Sequence, residues 1–264
     1  MIIAQITDLH VTLPGKPLQR RVDTGSFLHK AVAKIQSLDP APDVLLITGD
    51  LVESGTSDEY AYLHSLLTPL TLPIYVIPGN HDEREAMRQA FSDHDYLPRD
   101  GFLHYVVDAY PVRLIGLDSV IPRKTDGELC AVRLAWLERA LQQIPEKPTL
   151  IFMHHPPFIT SIKHMDQWGF RNPDDLANIV GKHPQVERIV CGHVHRPIQS
   201  RFAGTLAVTC PSAAHQIDFD LKPESPVAFI MEPPGLMLHI WNGKSMATHT
   251  LYTETYAGRY VYGE

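Results

Sequence analysis

A chain of 264 residues, 44% hydrophobic and 20% charged, has an ordinary globular composition and the length of one large domain, or one domain with a small cap. Its 23 Lys and Arg stand against 30 Asp and Glu, a formal net charge of −7 that disfavours a nucleic-acid-binding surface. No apolar run approaches the ~18 residues of a membrane span, and Cys130, Cys191 and Cys210, an odd number with no C-x-x-C pair, argue against a disulfide framework or a thiolate zinc site.

Residues 2–7 read as a buried strand that starts at once and ends in Asp8, so no secretory leader is expected and a cytoplasmic location with reduced thiols follows. Residues 25–38 carry helical periodicity, with Phe27, Leu28, Val32, Ile35 and Leu38 on one side and Thr24 or Ser26 as the cap. A strand at 43–48, a helix at 57–69 capped by Ser57, a strand at 73–78 and a short helix at 83–92 follow. Strands at 102–108 and 111–117 meet at a turn near Tyr110-Pro111. Then come a helix at 131–143, a strand at 149–153, a helix at 173–182 and a strand at 187–191. From about 198 the pattern turns to strands, at 199–208, 227–231, 236–241 and 246–252. The whole is expected to be one α/β domain over 1–264 with strand-rich elements in its last third.

The informative feature is where the metal-binding residue types fall. Asp8-Leu9-His10, Gly49-Asp50, Gly79-Asn80-His81-Asp82, His154-His155 and Gly192-His193-Val194-His195 each follow one of five predicted strands. In open α/β sheets the carboxyl ends of strands are where ligands bind, and strand ends place side chains rigidly. Each piece alone has a bland reading: a strand-end Asp often caps the next helix, and Gly and Asn tolerate turns. The five together, in this order, do not. In extended chain His193 and His195 point the same way, so both imidazoles are expected to face one pocket. Imidazole and carboxylate without thiolate suit Zn, Fe, Mn or Co. There are too many candidate ligands for one ion, and seven of them fit two ions sharing a carboxylate, a recurring device for phosphate-ester cleavage.

The order D-x-H, G-D, G-N-H-D, H-H, G-H-x-H resembles the signature of the calcineurin-like metallophosphoesterases over nearly the whole chain. Within that superfamily the sequence looks like the bacterial glycerophosphodiesterases and the related class III cyclic-nucleotide phosphodiesterases. Gly49-Asp50-Leu51-Val52-Glu53-Ser54-Gly55, Ile77-Pro78-Gly79-Asn80-His81-Asp82, Phe152-Met153-His154-His155-Pro156-Pro157 and Tyr256-Ala257-Gly258 carry the likeness. The resemblance implies a four-layer α-β-β-α sandwich, with a small strand-rich cap or dimerisation element at about 198–250. It implies one ion on Asp8, His10 and His195, a second on Asn80, His154 and His193, and Asp50 bridging them. His155 would be structural. His81 would contact the substrate phosphate or protonate the leaving oxygen, and His215, in Pro211-Ser-Ala-Ala-His215, matches a substrate-side His of the glycerophosphodiesterases.

The expected chemistry is attack of a metal-bridging hydroxide on a small phosphodiester, a cyclic nucleotide such as cAMP or a glycerophosphodiester. The protein is expected to be a homo-oligomer that binds neither nucleic acid nor membrane. A phosphomonoesterase or protein phosphatase is the competing enzyme reading. Protein phosphatases usually carry an Arg soon after G-D and Glu after G-N-H, whereas this chain has Leu51-Val52-Glu53-Ser54-Gly55 and Asp82. A non-catalytic scaffold of the same fold is the other alternative, disfavoured because every ligand position is filled. The 156–172 stretch, with Phe158, His164, Trp168, Phe170 and Arg171, either walls a substrate pocket or packs onto the domain. Tyr252, Tyr256, Tyr260 and Tyr262 either form a subunit interface or an ordinary packed tail.

Overall fold

Three apolar strands, β1 (Ile2–Ile6), β2 (Val44–Thr48) and β3 (Ile74–Ile77), pair in parallel. Parallel pairing needs a crossover, and helices α1 (Thr24–Gln36) and α2 (Ser57–Leu67) supply it. β12 (Gly235–Trp241) adds antiparallel to β1, and β13 (Met246–Tyr252) antiparallel to β12, giving the order β13-β12-β1-β2-β3. This computed structural model describes residues 1–263.

The second sheet has the order β4-β5-β6-β7-β9-β8, built from β4 (Tyr105–Val107), β5 (Arg113–Leu117), β6 (Thr149–Met153), β7 (Val186–Cys191), β8 (Ile198–Phe202) and β9 (Thr205–Thr209). β5, β6, β7 and β9 run parallel, and β4 and β8 are antiparallel edges. Successive side chains of a strand point to opposite faces. Leu114, Leu150, Phe152, Val190 and Val208 accordingly join the core of the first sheet. Their neighbours Ile115, Ile151, Met153, Ile189 and Ala207 pack on Leu137 and Leu141 of α4 (Ala131–Gln143) and on Leu176 and Ile179 of α6 (Pro173–Val180). The result is the four-layer α-β-β-α sandwich, with α1 and α2 outside one sheet and α4 and α6 outside the other.

Several local expectations shift. Asp23, not Thr24 or Ser26, caps α1 by accepting from the Ser26 N–H. Thr56, not Ser57, caps α2, because Thr56 and Glu59 form a reciprocal capping box. Phe27 leaves the main core and packs with Leu18, Val22 and Phe229. The expected strand 199–208 is a hairpin, β8 and β9, turning at Ala203 and Gly204 with φ of 48° and 90°. A short helix, α5 (Lys163–Gln167), interrupts the 156–172 stretch, and α3 is Arg84–Ala90. In the strand-rich last third, β8 and β9 belong to one sheet and β12 and β13 to the other. Among the described residues only the ribbon of β10 (Gln216–Ile217) and β11 (Phe229–Ile230) stands apart. No helix among the described residues is long and apolar enough to cross a membrane.

Candidate metal centre

The carboxyl ends of β1, β2, β3, β6 and β7 converge where the two sheets meet. The contact is close because the motif glycines have no side chain. A Cβ on Gly192 would collide with Thr7 Oγ1, and one on Gly79 with the Asp50 carboxylate and backbone N. The chain turns sharply here. Asp8, His10, Asp50, His193 and His195 all have positive φ, between 44° and 71°, although none is glycine. Such backbone is strained for an L residue and persists only where the surroundings over-determine it. His193 and His195 do line one cavity, as expected, but not through extended chain, and that reason is corrected. Each sits on left-handed backbone, and each faces a different group of partners.

One group gathers Asp8, His10, His195 and Asp50. His195 Nε2 lies 3.4 Å from Asp8 Oδ1 and 3.2 Å from His10 Nε2, which is 3.5 Å from Asp50 Oδ2. The other gathers Asp50, Asn80, His154 and His193. His154 Nε2 lies 3.3 Å from Asp50 Oδ2 and 3.2 Å from Asn80 Oδ1, and His193 Nδ1 lies 3.1 Å from the same Asn80 oxygen. In every imidazole the opposite ring nitrogen is taken by an acceptor. His10 Nδ1 meets the Glu53 carboxylate at 2.7 Å, His195 Nδ1 the His215 carbonyl at 3.0 Å, His154 Nδ1 the Thr48 carbonyl at 2.8 Å, and His193 Nε2 the Trp168 carbonyl at 2.9 Å. Those nitrogens donate, so the inward-facing ones present lone pairs in the neutral ring. Lone pairs and carboxylate oxygens aimed at common points repel one another and suit cations, and the outer acceptors that fix each tautomer are the usual accompaniment of histidine ligands. The donor set therefore fits a dinuclear metal site.

The electrostatics agree. Burial opposes a charge on His10, but the Glu53 hydrogen bond and the Asp50 charge outweigh it and raise the imidazole to about 9. Burial likewise opposes a charge on His154, and Asp50 outweighs it to give about 9. Burial favours neutral Asp50 too, yet His154 and His81 hold it well below the usual carboxylate range. Burial, with the His154 charge, drives His193 down to about 3. The field at the carboxylates thus draws positive charge into the site, a demand that metal ions meet as well as protons do.

His155 lies beside His154 and His193, but both its ring nitrogens are occupied, Nδ1 by Ser119 Oγ at 2.8 Å and Nε2 by the Thr125 carbonyl at 3.0 Å. A cavity of about 400 Å³ opens over the cluster, lined by His10, Asp50, Asn80, His81, His193 and His195 on its floor. Leu18, Met165, Trp168, Ile217 and Phe229 form an apolar wall. Of the 156–172 stretch, Trp168 thus reaches the pocket, whereas Phe158 and Phe170 pack under the second sheet and Arg171 pairs with Asp126. His81 also faces the cavity, its Nδ1 held by the Glu53 carbonyl at 2.8 Å and its N–H donating to Asp50 Oδ1 at 2.9 Å. His215 lines the cavity and stands edge-on to His195, with ring centroids 4.7 Å apart.

A sequence model of the calcineurin-like phosphoesterases matches residues 1–197, the stretch that carries every one of these strand-end motifs. The chain belongs to the calcineurin-like phosphoesterase family. This phosphoesterase is 37% identical over 264 residues to a protein of Arcobacter nitrofigilis named probable glycerophosphodiester phosphodiesterase, across 99% of this chain and 97% of that one. It is 34% identical over 234 residues to a probable cyclic nucleotide phosphodiesterase of Rhodopseudomonas palustris, across 87% and 84% of the two chains. Its fold is shared with a dimetal phosphatase from Danio rerio, with a TM-score of 0.66, 16% identity and coverage of 96% and 99%.

Two residues of the phosphoesterase site escaped sequence reasoning. Glu53 carries no metal-motif signal beyond its place three residues after Asp50, and its contact with His10 is purely tertiary. Asp82 was seen only as part of G-N-H-D. It is buried, its carboxyl pushed up to about 6 by burial and by Asp50. It accepts from the N–H groups of Leu51 and Gly79 and from the Tyr60 hydroxyl, tying the β2 and β3 ends together.

Proposed function

We propose that Asp8, His10 and His195 hold one cation and Asn80, His154 and His193 a second, with Asp50 shared, in a phosphodiesterase that hydrolyses small phosphodiesters. The carrying observation is Asp50 Oδ2, which lies within 3.5 Å of His10 Nε2 in one group and 3.3 Å of His154 Nε2 in the other. Imidazole, carboxylate and one amide oxygen suit Fe, Mn, Zn or Co. Bound there, such ions supply the positive charge that acidifies water and balances phosphoryl oxygens.

The chain's own groups do the rest. His81 has its Nδ1 anchored on the Glu53 carbonyl, which leaves Nε2 free, and in the imidazolium form Nε2 donates to a phosphoryl oxygen or protonates the leaving alkoxide. Asn80 both closes one metal group and borders the cavity. Burial, with the neighbouring His10 and His81, lowers His215 to about 3, so it meets the substrate as a neutral imidazole. The apolar wall suits the organic part of an ester and sheds water around the phosphate. No Lys or Arg lines the cavity among the described residues. A diester, with one negative charge, needs less compensation than a dianionic monoester, and this favours the diesterase over the monoesterase reading. The names of the relatives point the same way, to glycerophosphodiesters or cyclic nucleotides such as cAMP.

The reading extends to the whole protein. Its mildly acidic charge supports a small-molecule rather than a nucleic-acid partner, and its free Cys130, Cys191 and Cys210 support a reducing, cytoplasmic setting. Exposed Phe219, Leu221 and Met231 in the 216–231 ribbon, within the 198–250 element, support a homo-oligomer of single-domain protomers. Apo protein reconstituted with Mn, Zn, Fe or Co tests the proposal, by turnover of bis-p-nitrophenyl phosphate against p-nitrophenyl phosphate. Diester turnover well above monoester is the expected result. Monoester preference would move the protein to the phosphatase reading, and inactivity with every metal would overturn the enzyme.

A further inference from the structure

The four imidazoles of the centre are not oriented alike. His154, His193 and His195 each donate to a backbone carbonyl, which no side-chain substitution removes. His10 alone donates to a side chain, the Glu53 carboxylate, at 2.7 Å. A carboxylate only accepts, so in the neutral ring this contact puts the His10 proton on Nδ1 and leaves the lone pair on Nε2, the atom that faces His195 and Asp50. The pairing is built into the backbone. Beyond the ends of β1 and β2 the parallel ladder continues, with His10 N donating to the Asp50 carbonyl, Val11 N to that of Leu51, and Glu53 N to that of Val11. His10 and Glu53 are therefore held in fixed register on adjacent chains.

We propose that Glu53 is a positioning residue for the metal centre: by accepting the Nδ1–H of His10 it fixes Nε2 as the ligand atom and sets the cation affinity of the Asp8, His10 and His195 group. This rests on the ligand assignment proposed above. Outer partners of metal-bound histidines commonly govern affinity by ~10- to 100-fold. Because His154 and His193 are anchored on the Thr48 and Trp168 carbonyls, the effect is confined to one of the two ions.

Mn(II) titration of the metal-free full-length protein, followed by the EPR signal of free Mn(II), reads both sites without reference to activity. Wild type takes up two equivalents. Glu53→Leu is expected to bind one equivalent as wild type does and the other roughly tenfold or more weakly. Glu53→Gln keeps an acceptor oxygen and is expected to restore most of that affinity. His10→Ala serves as the control for the ligand itself. Circular dichroism and the melting temperature of the metal-free variants establish that each is folded. If Glu53→Leu is misfolded, Glu53→Ala replaces it. Weakening by His10→Ala but not by the Glu53 variants would overturn the positioning role alone. Equal weakening by Glu53→Gln and Glu53→Leu would overturn the tautomer account. If His10→Ala binds both equivalents normally, the ligand assignment fails, and the proposal with it.

Discussion

The backbone N–H of His193 is shared by both carboxylate oxygens of Asp8, each at 3.0 Å. It joins the end of β7 in one sheet to the end of β1 in the other and aims the carboxylate at His195. The approach depends on Gly192, where an added Cβ would lie 2.8 Å from Asp8 Oδ2 and 3.0 Å from the Thr48 carbonyl. Gly192→Ala should therefore lower thermal stability, by roughly 1–3 kcal/mol as for other overpacked sites, and release metal. Unchanged melting and metal content would mean that the sheet ends part without consequence.

Asp50→Ala removes the one carboxylate common to both groups and the acceptor for the His81 N–H. Elemental analysis of the purified variant should find both ions lost. Retention of two would refute the shared-ligand assignment.

His81 borders the cavity beside His10 and Glu53, with its Nδ1 taken by the Glu53 carbonyl. His81→Ala should keep its metal and lose rate, about 100-fold, the low end for acid–base catalysis. Diester turnover measured beside metal content checks this. A parallel fall in both would make His81 a ligand or a structural support.

Removing the metals should destabilise the fold, because cations that bind only the folded centre stabilise it by mass action, ~2.7 kcal/mol per site at a hundredfold excess over Kd. For a chain this long that corresponds to roughly 5–10 °C per site. The melting temperature should fall on chelation and return with Mn(II). A chelator-insensitive melt would argue that the cluster is held together by protons alone.

His104 gives a pH signature away from the centre. Its Nδ1 accepts from the Asp118 N–H at 3.0 Å, and its ring stacks between Phe102 and Trp136. Burial, aided by Arg133 and Arg84, lowers it to about 4, against ~6.5 in the unfolded chain. As pH falls the unfolded chain takes up this proton first. The stability contribution is full above pH ~6.5 and drains away toward pH 4, with a slope of up to ~1.4 kcal/mol per pH unit. Urea midpoints of metal-free wild type and His104→Asn, which keeps an acceptor near the Nδ1 position, should converge as pH drops from 7 to 5. Parallel curves would show that His104 titrates normally.

Most of the architecture was legible because strands such as Val44–Thr48 and Thr149–Met153 are continuous apolar runs that only a doubly covered sheet accommodates. The hairpin at Ala203-Gly204 was missed because β8 and β9 share one unbroken β-rich stretch, and the turn lies in two backbone angles rather than in a strong turn motif. Thr56 was passed over as a cap for its neighbour Ser57, and only the reciprocal Glu59 bond distinguishes them.

The sequence by itself determined which residues meet. Asp8, Asp50, Asn80, His154 and His193 each follow a strand end, and parallel strands deliver their carboxyl ends to one edge whatever the details of packing. The tertiary structure alone decided how they meet. Left-handed backbone at five non-glycine residues sends His193 and His195 to different partners, where an extended chain would have kept them together. It also decided which ring nitrogen faces inward, since that depends on acceptors as distant as the Thr48 carbonyl, 106 residues from His154. Such contacts are set by how two sheets abut, and no local pattern of residues encodes them.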